Sequence, residues 1–249
     1  MEKTDWKENR YGLIGKDIGY SFSRGYFAEK FKMLRLHDHS YENFDLFDIS
    51  EFKELLSKPN IKGFNVTIPY KQEIIPYLDS IDKEAGIIGA VNTIKFTENG
   101  TIGYNTDCYG FKKSLEPLLK PQHNNALILG TGGASKAVFH VLQQLGIKAT
   151  YVSRRTIESG YSYDELTPKI IKNNYLIVNC TPLGTHPNIE AKPPLPYQHL
   201  SPNHLLYDLI YNPSKSAFLR EGEKKDCAIK NGLEMLEQQA EKSWEIWRS

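Results

Sequence analysis

The chain has 249 residues and a formal net charge of +1, enough length for a sizeable core in one large domain or two ordinary ones. Lysines and arginines are scattered rather than blocked, so the basic excess needed to neutralise a phosphate backbone is missing and nucleic acid is excluded as a partner. No apolar run approaches the roughly 18 residues that span a bilayer, and the charged start MEKTDWKENR has no apolar core of a leader, so a cytoplasmic protein without a membrane partner is expected.

Cys108, Cys180 and Cys227 are odd in number and far apart, which points to reduced structural thiols and not to a disulfide framework or a zinc site. Arg10 to Gly15 reads as a first strand. Ser21 to Leu36 reads as a helix with Phe22, Phe27, Phe31 and Leu34 on one face. Ser21 and Ser23 fall at the start of that helix, where a hydroxyl caps free N–H groups or helps to hold a substrate carboxylate; both readings fit. His37 and His39 have no third ligand nearby, so no metal is expected.

Ser40 to Phe47 reads as a strand, Glu51 to Ser57 as a short helix, and Gly63 to Pro69 as a third strand stopped by proline. Alternation places Asn65 and Thr67 on one face of it, and Phe64, Val66 and Ile68 on the other. Pro69-Tyr70-Lys71 then opens a helical region over 72–88. This sets Lys71 at a strand's carboxyl edge, where open α/β sheets place ligands; a solvated surface lysine fits as well. GAVNTIKF is a strand carrying Asn92, Glu98-Asn99-Gly100 a tight hairpin turn, and Thr101 to Thr106 the returning strand. Asp107 stands ahead of a helix with Phe111, Leu115 and Leu118, as a helix-terminal acid does. Pro117, Pro121 and QHNN mark a linker edge.

ALILGTGGASKA, Ala126 to Ala137, is a buried strand running through Gly130, Gly132 and Gly133 into a helix, with Ser135 where a third glycine often stands. Glycine lets the backbone approach a pyrophosphate, and the helix N-terminus adds partial positive charge. The next strand, through Tyr151-Val152, ends not in the acid that holds a ribose 2′-hydroxyl but in Ser153-Arg154-Arg155-Thr156. Two guanidiniums suit a 2′-phosphate and therefore NADP, with solvated surface arginines as the alternative reading. Tyr175 to Cys180, Leu205 to Tyr211 and Ala228 to Lys230 are further strands, and Pro187 to Pro202 is a loop with His186 on the surface beside it. The final helix, Gly232 to Trp247, aligns Leu233, Leu236, Ala240, Trp244 and Trp247 with Gln239 nearby, both tryptophans reading as buried anchors. The alternation throughout predicts an α/β protein of two units with mostly parallel sheets.

Taken together, YSFS, GFNVTIPYK, GAVNT, GYNTD, the glycine loop, NCTPLG, YDLIYNP and GLEMLEQQA resemble the blocks of the shikimate dehydrogenase family in their usual order, over nearly the whole chain. The resemblance implies a substrate domain over 1–108 completed by the helix 232–249, a Rossmann-type NADP domain over 109–231, and a cleft between them. It implies reversible NADPH-dependent reduction of 3-dehydroshikimate to shikimate, on the way to chorismate and the aromatic amino acids. Lys71 and Asp107 would be the catalytic pair, Ser21 and Ser23 would hold the substrate carboxylate, and Asn65, Thr67, Asn92, Asp107, Tyr211 and Gln239 would complete the substrate site. NADP would be held by Gly130, Thr131, Gly132, Gly133, Ala134 and Ser135, by Ser153, Arg154, Arg155 and Thr156, and by Thr181 and Gly232, with no metal required.

The chemistry matches these residue types: hydride reaching a carbonyl carbon leaves charge on oxygen, which a positioned ammonium stabilises and protonates. The expected partner is a small molecule, and the chain is compatible with a monomer or a homodimer. Departures from the family pattern are Asp17 and Arg24 for prolines, Tyr20 for histidine, Arg154 for asparagine, Ser159 for arginine, Thr185 for methionine and Glu234 for glycine. Alternatives are an NAD-dependent quinate or shikimate dehydrogenase, against which Arg154 and Arg155 argue, and a non-catalytic NADP-binding regulator, against which Lys71 and Asp107 argue. A methylene-tetrahydrofolate dehydrogenase-like enzyme would leave the serine pair and GYNTD unexplained.

Overall fold

In the computed structural model, which describes residues 8–19, 21–155, 157–158 and 160–249, strand β1 (Asn9–Gly15) organises the first half of the chain. Its alternating side chains serve two cores: Tyr11 and Leu13 join one cluster, Ile14 the other. After it come α1 (Phe22–Met33), β2 (His39–Asp45), α2 (Phe52–Leu56), β3 (Ile61–Val66), β4 (Ser80–Ile81), α3 (Lys83–Ile88), β5 (Thr93–Thr97) and β6 (Gly100–Tyr104). The sheet order is β2-β1-β3-β5-β6-β4. β1 runs parallel to β2 and β3, and β4 parallel to β6, while β5 is antiparallel to both its neighbours. The antiparallel part follows from the turn at 98–99: Thr97 Oγ1 donates to the Gly100 carbonyl at 2.8 Å and Gly100 takes φ +111°, which only glycine adopts freely.

Three expectations are corrected in this half. The helix over 72–88 is broken into turns, a 3₁₀ turn at Ile75–Tyr77, β4 and α3. Pro76 removes a helical donor, and the Asp79 carboxylate accepts from the Thr101 amide at 2.7 Å and hydroxyl at 2.9 Å, drawing the following residues onto β6. Ile68 lies past the end of β3 and is 70% exposed, so it does not share the Phe64 and Val66 face. Leu34 is the C-cap of α1 and is exposed, while Phe27 and Phe31 are buried.

The second half begins with α4 (Asp107–Leu115) and continues with β7 (Asn125–Leu129), α5 (Gly133–Gln144), β8 (Lys148–Ser153), β9 (Gly160–Ser162), α6 (Pro168–Asn173), β10 (Leu176–Asn179), β11 (Leu205–Asp208), α7 (Ala217–Glu223), β12 (Ala228–Lys230) and α8 (Leu233–Arg248). Its sheet is parallel throughout, in the order β12-β11-β10-β7-β8-β9. The central strands are apolar on both faces, as burial under helices demands: Ala126 to Leu129 and Leu176 to Val178 are all 0% exposed. β9, α6 and α7 are additions to the elements expected from the sequence.

The chain thus divides into two compact units, Met1–Thr106 with Ala240–Ser249, and Asp107–Gln239. Within the second unit Gly110 of α4 packs against the first turns of α8, where a Cβ would lie 2.3 Å from the Met235 carbonyl and 3.1 Å from the Gln239 Cβ. In the first unit the other end of α8 supplies Ala240, Trp244 and Trp247 to the cluster around Tyr11, Phe27 and Phe31, and the Trp247 indole donates to the Ile94 carbonyl at 2.9 Å. Both tryptophans are the buried anchors that helical spacing predicts. All three cysteines are free.

Candidate active site

Ser21 occupies the N-cap position of α1 with extended backbone (φ −116°, ψ 122°), yet its side chain caps nothing. Its Oγ is buried and has no hydrogen-bond partner. A buried hydroxyl without a partner carries a desolvation cost of about 1–3 kcal/mol, so the capping explanation fails for this serine. Ser23 is 7% exposed and bonds to the Tyr41 hydroxyl, whose pKa burial pushes well above the ordinary phenol value and keeps it protonated. Tyr20, beside them, lies outside the described residues.

From Tyr41 the bonding continues inward. The Tyr41 hydroxyl donates to Asn65 Oδ1 at 2.8 Å, and Asn65 Nδ2 donates to Ser243 Oγ at 2.9 Å and to the Asn92 carbonyl at 3.2 Å. Both ends of the Asn65 amide thus already hold protein partners, which leaves a ligand one lone pair on Oδ1. Asn92, 2% exposed, accepts the Thr106 amide on Oδ1 at 2.7 Å and donates from Nδ2 to Thr106 Oγ1 at 3.0 Å. Thr67 follows β3 directly; its amide donates to the Ile14 carbonyl at 2.8 Å, and its side chain is half-buried.

Lys71 comes four residues later, half-buried and anchored on both sides. Tyr70 before it is 2% exposed and donates its hydroxyl to the Leu46 carbonyl at 2.8 Å, while the Lys71 carbonyl accepts from the Val91 amide at 2.7 Å. The backbone carrying the ammonium is therefore fixed to the segment that leads through Asn92 into β5.

In the second unit, Asp107 is the first residue of α4 and is 5% exposed, at the helix end where a carboxylate is favoured. Gln239 is 7% exposed and donates from Nε2 to the Leu236 carbonyl at 2.9 Å. Tyr211 is half-buried in the loop after β11.

The glycine loop leaves β7 at the point where the strand order reverses, between β7 and β10, the usual crevice for a dinucleotide. Gly130 has φ +100°, and a Cβ there would lie 3.2 Å from Thr181 Cγ2, so the loops after β7 and β10 meet across this glycine. Gly132 is exposed, and a Cβ there would meet nothing within 4 Å; with Thr131 it leaves open space over the N-terminus of α5, which starts at Gly133-Ala134. Ser135 is 1% exposed and its Oγ donates to the Gly132 carbonyl at 2.7 Å, so this hydroxyl is spent on shaping the turn. Thr181 hydrogen-bonds Asn179 Oδ1 through both amide (3.0 Å) and hydroxyl (2.6 Å). Asn179 in turn donates to Asp208 at 3.0 Å, and Asp208 also accepts from the Ser216 hydroxyl and, at 3.0 Å, from the Ile210 amide. Burial raises the Asp208 pKa from 3.8 to about 6.

Gly232 allows the loop after β11 to approach α8, since a Cβ there would lie 2.1 Å from the Leu209 carbonyl oxygen. At the end of β8, the Ser153 hydroxyl donates to the Arg155 carbonyl, and Arg154 and Arg155 are exposed with no carboxylate ion pair among the described residues. Thr156 and Ser159 lie outside the described residues. An open glycine turn over a helix N-terminus, flanked by two guanidiniums and no acid, fits a phosphorylated dinucleotide.

Sequence reasoning missed Tyr41, Thr93, Thr106 and Ser243 in the first unit, and the Asn179–Asp208–Ser216 cluster in the second. Thr93, Thr106, Asn179 and Asp208 sit inside the blocks GAVNT, GYNTD, NCTPLG and YDLIYNP; Ser243 had the subtler signal of a hydroxyl on the apolar stripe of α8. Among the described residues no cluster of metal-ligating side chains occurs and no helix is long and apolar enough to cross a membrane.

Residues 13–94 match the family model described as the shikimate dehydrogenase substrate binding domain. A shikimate dehydrogenase (NADP(+)) of Staphylococcus aureus (strain bovine RF122 / ET3-1) is 40% identical over 251 residues, covering 96% of this chain and 92% of the relative. The crystal structure of shikimate dehydrogenase 1 from Peptoclostridium difficile superposes with a TM-score of 0.86 at 38% identity, over 96% of this chain and 92% of that one. The Thermus thermophilus enzyme in complex with NADP(H) and shikimate superposes with a TM-score of 0.85 at 29% identity, over 96% and 93%. With relatives this similar over nearly its full length, and with the open glycine turn and the uncapped serine in place, the chain belongs to the shikimate dehydrogenase family.

Proposed function

We propose that this protein interconverts shikimate and 3-dehydroshikimate with NADP(H). The observation that carries the substrate half of this reading is the Ser21 hydroxyl, buried without a partner at the N-terminus of a twelve-residue helix. A carboxylate is the ligand such a position accepts, because the helix end favours negative charge and the hydroxyl needs an acceptor. Ser23 assists there and Tyr41 braces it. Asn92, Thr67 and Gln239 supply donors and acceptors to the ring hydroxyls, with Tyr211 completing the site and Asn65 acting mainly by bracing. The open turn at Gly130 to Gly133 and the guanidiniums of Arg154 and Arg155 support a 2′-phosphorylated dinucleotide.

NADPH, when bound, supplies the hydride. The Lys71 ammonium donates its proton to the carbonyl oxygen as negative charge develops there, and takes a proton back in the oxidative direction. Asp107, the other member of the catalytic pair in this reading, accepts from a substrate hydroxyl, which orients the reacting carbon. A site built of such groups discriminates strongly against analogues lacking a hydroxyl. The reading implies aromatic amino-acid biosynthesis and a cytoplasmic setting.

The test is absorbance at 340 nm with purified protein, shikimate or quinate, and NADP⁺ or NAD⁺. Shikimate with NADP⁺ is the expected best pair. Lys71→Ala should lower kcat by roughly 10²-fold or more. Ser21→Ala should raise KM for shikimate about tenfold, an energy of roughly one charge-assisted hydrogen bond, without lowering the melting temperature. Turnover of neither substrate, with NADP⁺ still bound, would make the protein a regulator on this fold.

A further inference from the structure

Ser243, on the last helix and 0% exposed, stands at a junction of side-chain hydroxyls and amides buried beneath β3 and β5. Its Oγ lies 2.9 Å from Asn65 Nδ2, 2.8 Å from Thr93 Oγ1 and 3.2 Å from Thr106 Oγ1. Thr93, also 0% exposed, passes the connection on by donating to Asn92 Oδ1 at 3.1 Å.

Two main-chain groups set the polarity of this cluster. The Thr106 N–H at 2.7 Å can only donate, so the atom of Asn92 that faces it is oxygen. The Asn92 carbonyl can only accept, so the atom of Asn65 at 3.2 Å from it is nitrogen. Neither amide can turn over without setting donor against donor or acceptor against acceptor.

We propose that Ser243 and Thr93 are positioning residues that hold the Asn92 carboxamide with its oxygen inward, so that Asn92 meets a substrate hydroxyl as a donor. The proposal rests on the reading that Asn92 binds the substrate ring, and it extends the function of α8 beyond Gln239. Ser243 ties the helix to the Asn65 amide directly and to Asn92 through Thr93. Thr93 touches both amides, at 3.2 Å from Asn65 Nδ2 and 3.1 Å from Asn92 Oδ1. Because both side chains are 0% exposed and act through Asn92, their loss relaxes the orientation of Asn92 and weakens substrate binding, while the cofactor cradle in the other unit keeps all its bonds.

Steady-state kinetics of Ser243→Ala, Thr93→Val, Thr93→Ser and Asn92→Asp, each with a melting temperature, tests this. Val matches Thr in shape and removes only the hydroxyl, so it keeps the test open where Ser243→Ala fails to fold. Asn92→Asp keeps the inward acceptor and loses the donor. The expected result is a rise in KM for shikimate of fivefold or more in Thr93→Val and in folded Ser243→Ala, with KM for NADP⁺ within twofold of the parent and Thr93→Ser near parental. A smaller rise in these variants while Asn92→Asp raises KM would overturn the positioning role alone. An equal rise of both KM values together with a fallen melting temperature would also overturn it, as a purely structural effect. Unchanged KM in Asn92→Asp would instead sink the assignment of Asn92 to the substrate, and this proposal with it.

Discussion

At the scale of single residues, Asp208 shows how a buried charge is kept. The side chain is 0% exposed, and burial is the largest influence on it, raising the carboxyl pKa from 3.8 to about 6 against the hydrogen bonds of Ser216, Ile210 and Asn179. A carboxyl with a raised native pKa binds its proton more tightly folded than unfolded. Stability therefore falls as pH rises from about 4 to about 6, and the full cost, roughly 3 kcal/mol as an upper figure, is present above that range. Asn at this position can accept from Ile210 and Asn179 with its oxygen and donate to Ser216 with its nitrogen. Asp208→Asn should consequently be the more stable protein at pH 8, its advantage shrinking towards zero below pH 4. Urea unfolding at several pH values reads this directly, and curves for the two proteins that stay parallel would rule it out. The neighbouring Thr181 hangs on Asn179, so this cluster also holds the loop that meets Gly130.

At the scale of elements, the proposed function gives the choice of cofactor to the end of β8. Arg154 and Arg155 follow a strand whose partner β7 carries the glycine loop, and neither has a carboxylate ion pair among the described residues. Replacing both by alanine should raise KM for NADP⁺ by tenfold or more, about the loss of one charge-assisted hydrogen bond, and leave KM for NAD⁺ within threefold. Parallel changes for the two cofactors would show that the arginines do not read the 2′-phosphate. The parallel strands around this site were legible because double burial writes itself as unbroken apolar runs, as in Ala126 to Leu129. The break at 72–88 was less legible: it depends on Asp79 reaching Thr101, 22 residues away, a bond without local periodicity. The same holds for Ser243, whose partner Asn65 is 178 residues distant. Ser21 and Ser23 could be placed at a helix start from sequence, but that Ser21 caps nothing is a matter of geometry alone.

At the scale of the whole molecule, the two units have separate cores and unequal chain logic. The second is one continuous segment around its parallel sheet, whereas the first needs its last residues, 240–249, returned from the far end of the chain. Trp247 is the clearest tie. It is 7% exposed, packs tilted against Tyr11 and Phe27 with ring centroids 4.7 and 5.4 Å away, and fits only because Gly63 is bare, a Cβ there lying 2.1 Å from its Nε1. Trp247→Ala removes that packing and leaves the Ile94 carbonyl without its indole donor, a loss of about 3–5 kcal/mol. Such a loss is a large part of the roughly 5–15 kcal/mol that stabilises an ordinary domain. Because the cores are distinct, the damage belongs to the first unit. On warming, Trp247→Ala should lose shikimate oxidation at temperatures where calorimetric titration still detects NADP⁺ binding by the second unit, while the parent retains both. Simultaneous loss of both properties in a single unfolding transition would mean instead that the units melt as one, and that the returning helix stabilises the entire chain.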